Sequence, residues 1–121
     1  MTGRTMICRA SGVEETRPEW TALDPGEEPS TGAQVALLGG EAGVSVLLCD
    51  LGPSAFVALH SVPEAAICHV VAGGGSVFFD DGEEIAFAQG DTIQFAGGVA
   101  HGWRIGPERT TVAVTTYPET A

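Results

Sequence analysis

The stretch from Gly90 to Ile105, GDTIQFAGGVAHGWRI, decides the fold of this chain. A Gly-Asp turn opens it, a short apolar run follows, a Gly-Gly turn interrupts, and a second apolar run begins at His101. Strands of about five residues separated by glycine turns are typical of all-β domains. We therefore predict a strand, a turn and a second strand here.

The same pattern extends outward from Gln34 to the C-terminus. Short apolar runs are separated by turn residues: QVALL, VSVLLCDL, AFVALH, AAICHVV, SVFF, EEIAF and TTVAVTTY. Asp81-Gly82 lies between two runs as a hairpin signal, and Gly52-Pro53 is interpreted as another break. Pro63 and the β-branched residues after it predict a loop and then a strand, so no helix of normal length is expected. We predict an all-β domain over 34–121, preceded over 1–33 by an arm that can hold one short strand.

Composition narrows the classes of function. The chain has 121 residues, a length suited to one domain, and a net charge of −11 with a pI near 4.3. An acidic chain without a cluster of arginines is expected to bind neither nucleic acid nor anionic membranes. No apolar run is long enough to span a bilayer and the N-terminus lacks a signal-peptide core, which predicts a cytoplasmic protein.

The three cysteines, Cys8, Cys49 and Cys68, give little indication of chemistry. Their number is odd and no CxxC pair occurs, so neither a disulfide framework nor a zinc knuckle is indicated. Their expected role is that of small buried apolar residues.

The order and spacing of residues 51–105 resemble the cupin superfamily, whose fold is a double-stranded β-helix, also called a jelly-roll barrel. Its first motif is a His-x-His pair followed by a glutamate and, after six intervening residues, a glycine. With Gly73 as that glycine, His60 matches the first histidine, whereas Val62 and Ala66 stand at the second histidine and the glutamate. The resemblance implies a barrel with His60 in its lumen.

The opening stretch is similar to the second cupin motif, a Gly-Asp turn, a strand, a Pro-x-Gly turn and a histidine. Gly90-Asp91, Gly98 and His101 match it, and Ala96 stands in place of the proline. The DDGEE hairpin between the two motifs is also common in small cupins. The chain is thus identified as similar to the small single-domain cupins with an incomplete ligand set.

The resemblance also implies a site for a divalent metal such as Fe, Mn, Ni, Cu or Zn. In metal-binding cupins three histidines and a glutamate converge on the ion, and here only His60 and His101 remain. Cys68 or Glu64 is then the candidate for a third ligand. Without a metal, the two imidazoles titrate near neutral pH and can move protons.

Strand alternation predicts the lining of this lumen. If His60 faces inward, Val62 does too, and Cys68 and Val70 share a face with Ala66 while His69 points outward. The predicted substrate-binding residues are Phe56, Val62, Cys68, Val70, Phe78, Phe95 and Trp103. Two other interpretations stay open, His60 as a hydrogen-bonded core residue and His101 as a turn residue stacked on an aromatic ring.

Three functions are compatible with this site. The first is an enzyme of specialised metabolism, in which the histidine pair performs lyase, cyclase or isomerase chemistry on a compact carbonyl or polyketide-like substrate. The second is a metal-dependent oxygenase, and the third is a barrel that binds a small molecule without turnover. A homodimer is also expected, because edge strands favour pairing, with TTVAVTTY and the N-terminal residues as the edges.

Overall fold

The computed structural model describes residues 18–118 and the backbone of the two strands before them. Its strands are β1 (Thr5–Arg9), β2 (Gly12–Thr16), β3 (Thr21–Ala22), β4 (Thr31–Glu41), β5 (Val44–His60), β6 (Ala65–Ala72), β7 (Gly74–Phe79), β8 (Glu84–Ala88), β9 (Thr92–Phe95), β10 (His101–Ile105) and β11 (Thr110–Tyr117). The described residues form no helix, as predicted. In this part of the chain no helix is long and apolar enough to cross a membrane.

All strand pairs are antiparallel, and β5 joins the two halves of the curled sheet. On one side β4, the first part of β5, β11, β6 and β9 follow one another. On the other side the last part of β5, β10, β7 and β8 do so. The two layers enclose an apolar core in which Leu51, Val57, Val70 and Val112 are almost fully buried. The all-β prediction is therefore confirmed.

The predicted break at Gly52-Pro53 is wrong, because β5 continues through it for 17 residues. The dipeptide changes the partner of the strand instead. Up to Leu51 the strand pairs with β11, and from Phe56 it pairs with β10. Ser54 between them has a φ of 58°, and its N–H donates to the carbonyl of Gly106. A proline without an N–H fits where the ladder changes partner.

Gly73, the glycine of the first motif, forms the whole connection between β6 and β7. Its φ of 83° lies in the left-handed region that favours glycine. A Cβ at this position would overlap the side chain of Thr110 and the backbone of Arg109. The motif glycine therefore allows β6 to turn into β7 directly against the start of β11.

The strands near the N-terminus and β11 differ from the sequence-based expectation. In place of one short strand, β1 and β2 pair as a separate hairpin and β3 pairs with β4. TTVAVTTY was expected at an edge, but β11 lies between β5 and β6. Strands paired on both sides have no free backbone groups for a partner. The homodimer stays a prediction, and β11 is not its edge.

The predicted alternation in β6 is confirmed. Ala66, Cys68 and Val70 are buried, whereas His69 is exposed. The Nδ1 atom of His69 lies 3.3 Å from the hydroxyl of Thr92 on the outer surface. His69 is thereby separated from the other two histidines by the sheet itself.

Candidate functional site

His60 and His101 face each other across two paired strands. His60 ends β5, His101 begins β10, and the two are direct partners in the ladder. Their ring centroids are 4.6 Å apart with the planes tilted by 58°. The turn before β10 is held in place by a hydrogen bond from the N–H of Gly98 to the carbonyl of Val62. The two segments that resemble the cupin motifs therefore meet at this histidine pair.

Backbone carbonyls fix which nitrogen of each ring is free. Nδ1 of His60 lies 2.8 Å from the carbonyl oxygen of Ala58, and Nδ1 of His101 lies 2.9 Å from that of Val99. A carbonyl oxygen only accepts, so each Nδ1 carries a hydrogen and donates. In the neutral rings each Nε2 then keeps its lone pair. Both histidines thus offer a base, and either offers an acid once it is protonated.

Aromatic rings bury His101. Phe95 stacks face to face on it at 3.8 Å between centroids, and Trp103 meets the edge of Phe95 at 6.0 Å. His101 is left 7% exposed, whereas His60 is half-buried. Burial lowers the pKa of His101 below 6.5, the Val99 hydrogen bond opposes this, and nearby His60 adds to it. His101 is therefore kept neutral and can act as a base. The alternative interpretation, a histidine stacked on an aromatic ring, also describes His101.

This lowered pKa predicts a pH dependence of stability. The native state disfavours the imidazolium, so below about pH 6.5 the unfolded chain takes up the proton first. The free energy of unfolding contributed by His101 is present above that pH and is lost as the pH falls through its lowered pKa. We expect urea unfolding between about pH 7.5 and about pH 5.5 to show a weaker pH dependence in His101→Gln than in the natural protein. Equal dependence in the two proteins contradicts the prediction, and His69→Gln serves as the exposed control.

The pair lies in the wall of an apolar cavity of about 180 Å³ between the two layers. Its side chains are Leu23, Pro25, Val35, Leu47, Cys49, Leu51, Val57, His60, Val62, Ala66, Cys68, Phe95, His101, Trp103, Val112, Val114 and Thr116. No lysine, arginine, aspartate or glutamate lines the cavity, so a charge can arise there only by protonation of a histidine. The side chains of the cavity that can form hydrogen bonds include the two histidines, the hydroxyl of Thr116 and the thiols of Cys49 and Cys68.

Most of the predicted lining residues lie where the alternation placed them. Val62, Cys68, Phe95 and Trp103 line the cavity with the histidines. Val70 is fully buried in the core but does not line the cavity. Whether these side chains contact a substrate stays a prediction.

Phe56 and Phe78 lie outside the cavity, so their placement in the lumen is wrong. The register of β5 against β10 shifts by one residue between the His101–His60 and Trp103–Val57 pairs. This bulge reverses the alternation, so Val57 and His60 both face inward while Phe56 faces outward. Phe78 pairs with Gly102, which also faces outward. The two phenylalanine rings stack on each other at 5.7 Å in an open depression on the surface.

Sequence reasoning missed part of the wall that comes from the N-terminal arm. Leu23 and Pro25 cover the cavity, although their segment is polar and rich in proline. The segment is tied down by the hydroxyl of Ser30, which accepts from the N–H of Ala58, and by the N–H of Leu23, which donates to Ala33. Such long-range contacts have no local sequence signal, and only the apolar side chain of Leu23 hinted at burial.

The donors around the histidine pair do not fit a metal site. No third histidine, cysteine or acidic side chain joins the pair in a group that could hold an ion, among the residues that the structure describes. Glu64 is exposed and outside the cavity. Burial raises the pKa of Cys68 to about 12, with a smaller contribution from Cys49, so its thiol is neutral. Val62 and Ala66 leave apolar wall at the two missing ligand positions.

The buried cysteines are free thiols. Cys49 and Cys68 both line the cavity, and burial raises the pKa of Cys49 to about 11. A protonated thiol is a poor nucleophile, so packing is the role that the structure supports for both. The side chain of Cys8 lies outside the described residues.

Solved structures of similar fold identify the architecture. No protein-family model matches the sequence, and no curated protein matches it. The polyketide cyclase RemF from Streptomyces resistomycificus superimposes with a TM-score of 0.71 at 17% identity, over 84% of this chain and 75% of that one. An RmlC-like cupin from Shewanella frigidimarina gives a TM-score of 0.68 at 19% identity, over 85% and 86%.

A cupin-2 domain from Rhodospirillum rubrum gives a TM-score of 0.70 at 17% identity, covering 86% of this chain and 72% of that one. Identities this low establish the fold and leave the chemistry open. The curled antiparallel fold described above is shared with these proteins over most of their length. The chain therefore folds as a small cupin domain.

Proposed function

We propose that this protein is an enzyme that catalyses acid–base chemistry on a compact carbonyl or polyketide-like compound. The reaction class is dehydration, cyclisation or isomerisation. The observation that carries the proposal is the pair of imidazoles 4.6 Å apart in the wall of an otherwise apolar cavity. The likeness in fold to a polyketide cyclase agrees with it but concerns the fold alone.

The two histidines have different roles in this proposal. His101 is the more buried and is held neutral, so its Nε2 takes a proton from the carbon next to the carbonyl group. The electron pair of that C–H bond moves into the carbonyl, whose oxygen receives a proton from Nε2 of protonated His60. In each outcome the enol O–H returns its proton to His60, and the proton that His101 took is passed on. That proton joins a departing β-hydroxyl group as water, goes to the oxygen of a second carbonyl that the enol carbon attacks, or is added to another carbon.

The surroundings of the pair support these roles. His60 lines both the cavity and the open surface depression, so it can exchange protons with water. The carbonyls of Ala58 and Val99 hold both Nδ1 atoms and leave both Nε2 atoms for the substrate. Apolar walls exclude water that would compete for the same protons and keep a compact substrate in position.

The other two candidate functions have less support. A metal-dependent oxygenase needs a ligand set that the side chains around His60 and His101 do not supply. A cupin that only binds its ligand would use the same cavity, and the experiment below separates it from an enzyme.

Exchange of the α-protons of 2-tetralone in D2O tests the proposal by proton NMR. We expect the protein to accelerate exchange over buffer, because removal of an α-proton is the first step of all three reactions. Val62→Trp, at the rim of the cavity, is expected to abolish the acceleration by blocking access. Val71→Trp, on the outer face of β6, is the matched control and keeps it. Binding of 2-tetralone without faster exchange would favour the binding protein.

A further inference from the structure

Apart from the imidazole of His60, which stands between the cavity and the open depression, the walls of the cavity offer nothing that neutralises a charge on a ligand. No lysine, arginine, aspartate or glutamate lines it. His101, the more buried of the two histidines, is kept neutral because burial lowers its pKa. Transfer of a carboxylate from water into such a site costs several kcal/mol unless a cation pairs with it. The part of a ligand that enters the cavity is therefore uncharged.

The surface depression adjoins the cavity on the side of His60. Pro25 and His60 line both spaces, so both residues stand between the cavity and the depression. The depression measures about 610 Å³ and is open to solvent. A ligand that passes through it meets Glu27 and Glu28, which are exposed and form no ion pair with any residue that the structure describes.

The cation of the depression does not offset these two carboxylates. Arg104 forms an ion pair with Glu84, with 3.2 Å between Nε and Oε1. Its guanidinium also lies 4.4 Å from the ring centroid of Phe78 and 5.5 Å from that of Phe56. The field at the depression is therefore negative, in a chain whose net charge is −11. Anions are repelled before they reach the cavity.

We propose that the cavity selects uncharged carbonyl or hydroxyl compounds and rejects carboxylates, phosphates and acyl thioesters of anionic carriers. The apolar part of the ligand fills the cavity, and its one hydrogen-bonding group meets the histidine pair. Two independent features produce this selection, the absence of a buried cation and the acidic depression in front of His60.

This inference rests on the proposed function and narrows it. A decarboxylase must take a carboxylate into its site, and a reaction on a coenzyme thioester brings phosphates to the rim. Both are excluded by the charges described above. Dehydration, cyclisation and isomerisation of a neutral compound remain, and the product leaves as a neutral compound as well.

Matched pairs of probes test the selection by equilibrium binding. The pairs are 2-naphthol with 2-naphthoate and phenol with benzoate, alike in shape and different in charge at neutral pH. We expect each phenol to bind at least about tenfold more tightly than its carboxylate, because the cavity cannot solvate the anion. Equal affinity within either pair overturns the proposal, and so does a failure of both phenols to bind.

Charge variants test the acidic depression separately from the uncharged cavity, and proton exchange tests the proposed enzyme separately from the selection. In Glu27→Gln/Glu28→Gln we expect 2-naphthoate to associate about threefold faster at low salt, with 2-naphthol unchanged. Glu108→Gln removes an exposed charge in the turn after β10 and is expected to change neither. An unchanged rate for 2-naphthoate overturns the role of the depression. Selective binding without proton exchange of 2-tetralone contradicts the proposed enzyme, whereas exchange with equal binding of anions contradicts only the selection.

Discussion

His101→Gln is expected to slow the exchange of 2-tetralone α-protons by about 10²–10⁴-fold, the usual contribution of a positioned general base. Its Nε2 atom is the buried base of the pair, and the amide of glutamine is no base at neutral pH. Glutamine still offers a donor for the carbonyl of Val99, which His101 now contacts at 2.9 Å. The loss therefore reports the missing base and not an unpaired carbonyl.

The measurement is the initial exchange rate at equal protein concentration, with folding checked by circular dichroism. His69→Gln makes the same change at the exposed histidine on the outer face of β6 and is expected to keep the full rate. Val62→Trp supplies the blocked cavity as the lower limit. A folded His101→Gln protein that exchanges as fast as the natural one would remove His101 from the mechanism.

Val62→His/Ala66→Glu is expected to turn the cavity into a metal site. Both positions line the cavity with His60 and His101, and the resemblance to metal-binding cupins places the second histidine and the glutamate there. The four side chains then supply three imidazoles and a carboxylate, a set suited to Zn²⁺, Mn²⁺ or Fe²⁺. We expect close to one metal ion per chain in the double variant, measured by elemental mass spectrometry of untagged protein.

Stability supplies a second measurement of the same change. Ala66 is 6% exposed, so a glutamate there buries a carboxylate and lowers the melting temperature in the presence of a chelator. Added Zn²⁺ is expected to raise the melting temperature of the double variant, because a ligand that binds only the native state stabilises it. Val71→His, an exposed change on the outer face of β6, is expected to show no such rise. A double variant that folds yet takes up no metal would show that the four positions do not converge.

The strands were predictable because their sequence signals are local. Asp81-Gly82 lies at the predicted hairpin, where Gly82 has a φ of 88°. The alternation of buried and exposed residues in β6 also follows directly from the order of apolar residues. The proximity of His60 and His101 was predictable only from the spacing of the two motifs. The two residues are far apart in sequence, and the pairing of β5 with β10 brings them together.

The remaining features of the site are set by contacts that leave no local signal. The bulge between β5 and β10 turns Phe56 outward. The apolar sequence of β5 around Phe56 is that of a regular strand, so it gives no sign of the bulge. Leu23 and Pro25 reach the cavity from a segment that packs across β5, where a Cβ on Gly26 would meet the carbonyl oxygen of Leu59. The stack of Phe95 on His101 joins β9 to β10, two strands that do not pair with each other.

The single strand β5 holds the proton donor of the site, His60, and part of the opposite wall of the cavity, Leu51. Leu51 pairs with β11 in one layer, and His60, nine residues on, pairs with β10 in the other. Because the same strand belongs to both layers, local unfolding around the histidine pair also disturbs the opposite layer. We therefore expect local unfolding at the site to be coupled to unfolding of the whole domain. A substitution that moves the two histidines apart for a larger substrate is therefore expected to destabilise the folded protein as well. Substitutions at the rim of the cavity avoid this cost, so we expect new substrate specificity to evolve there.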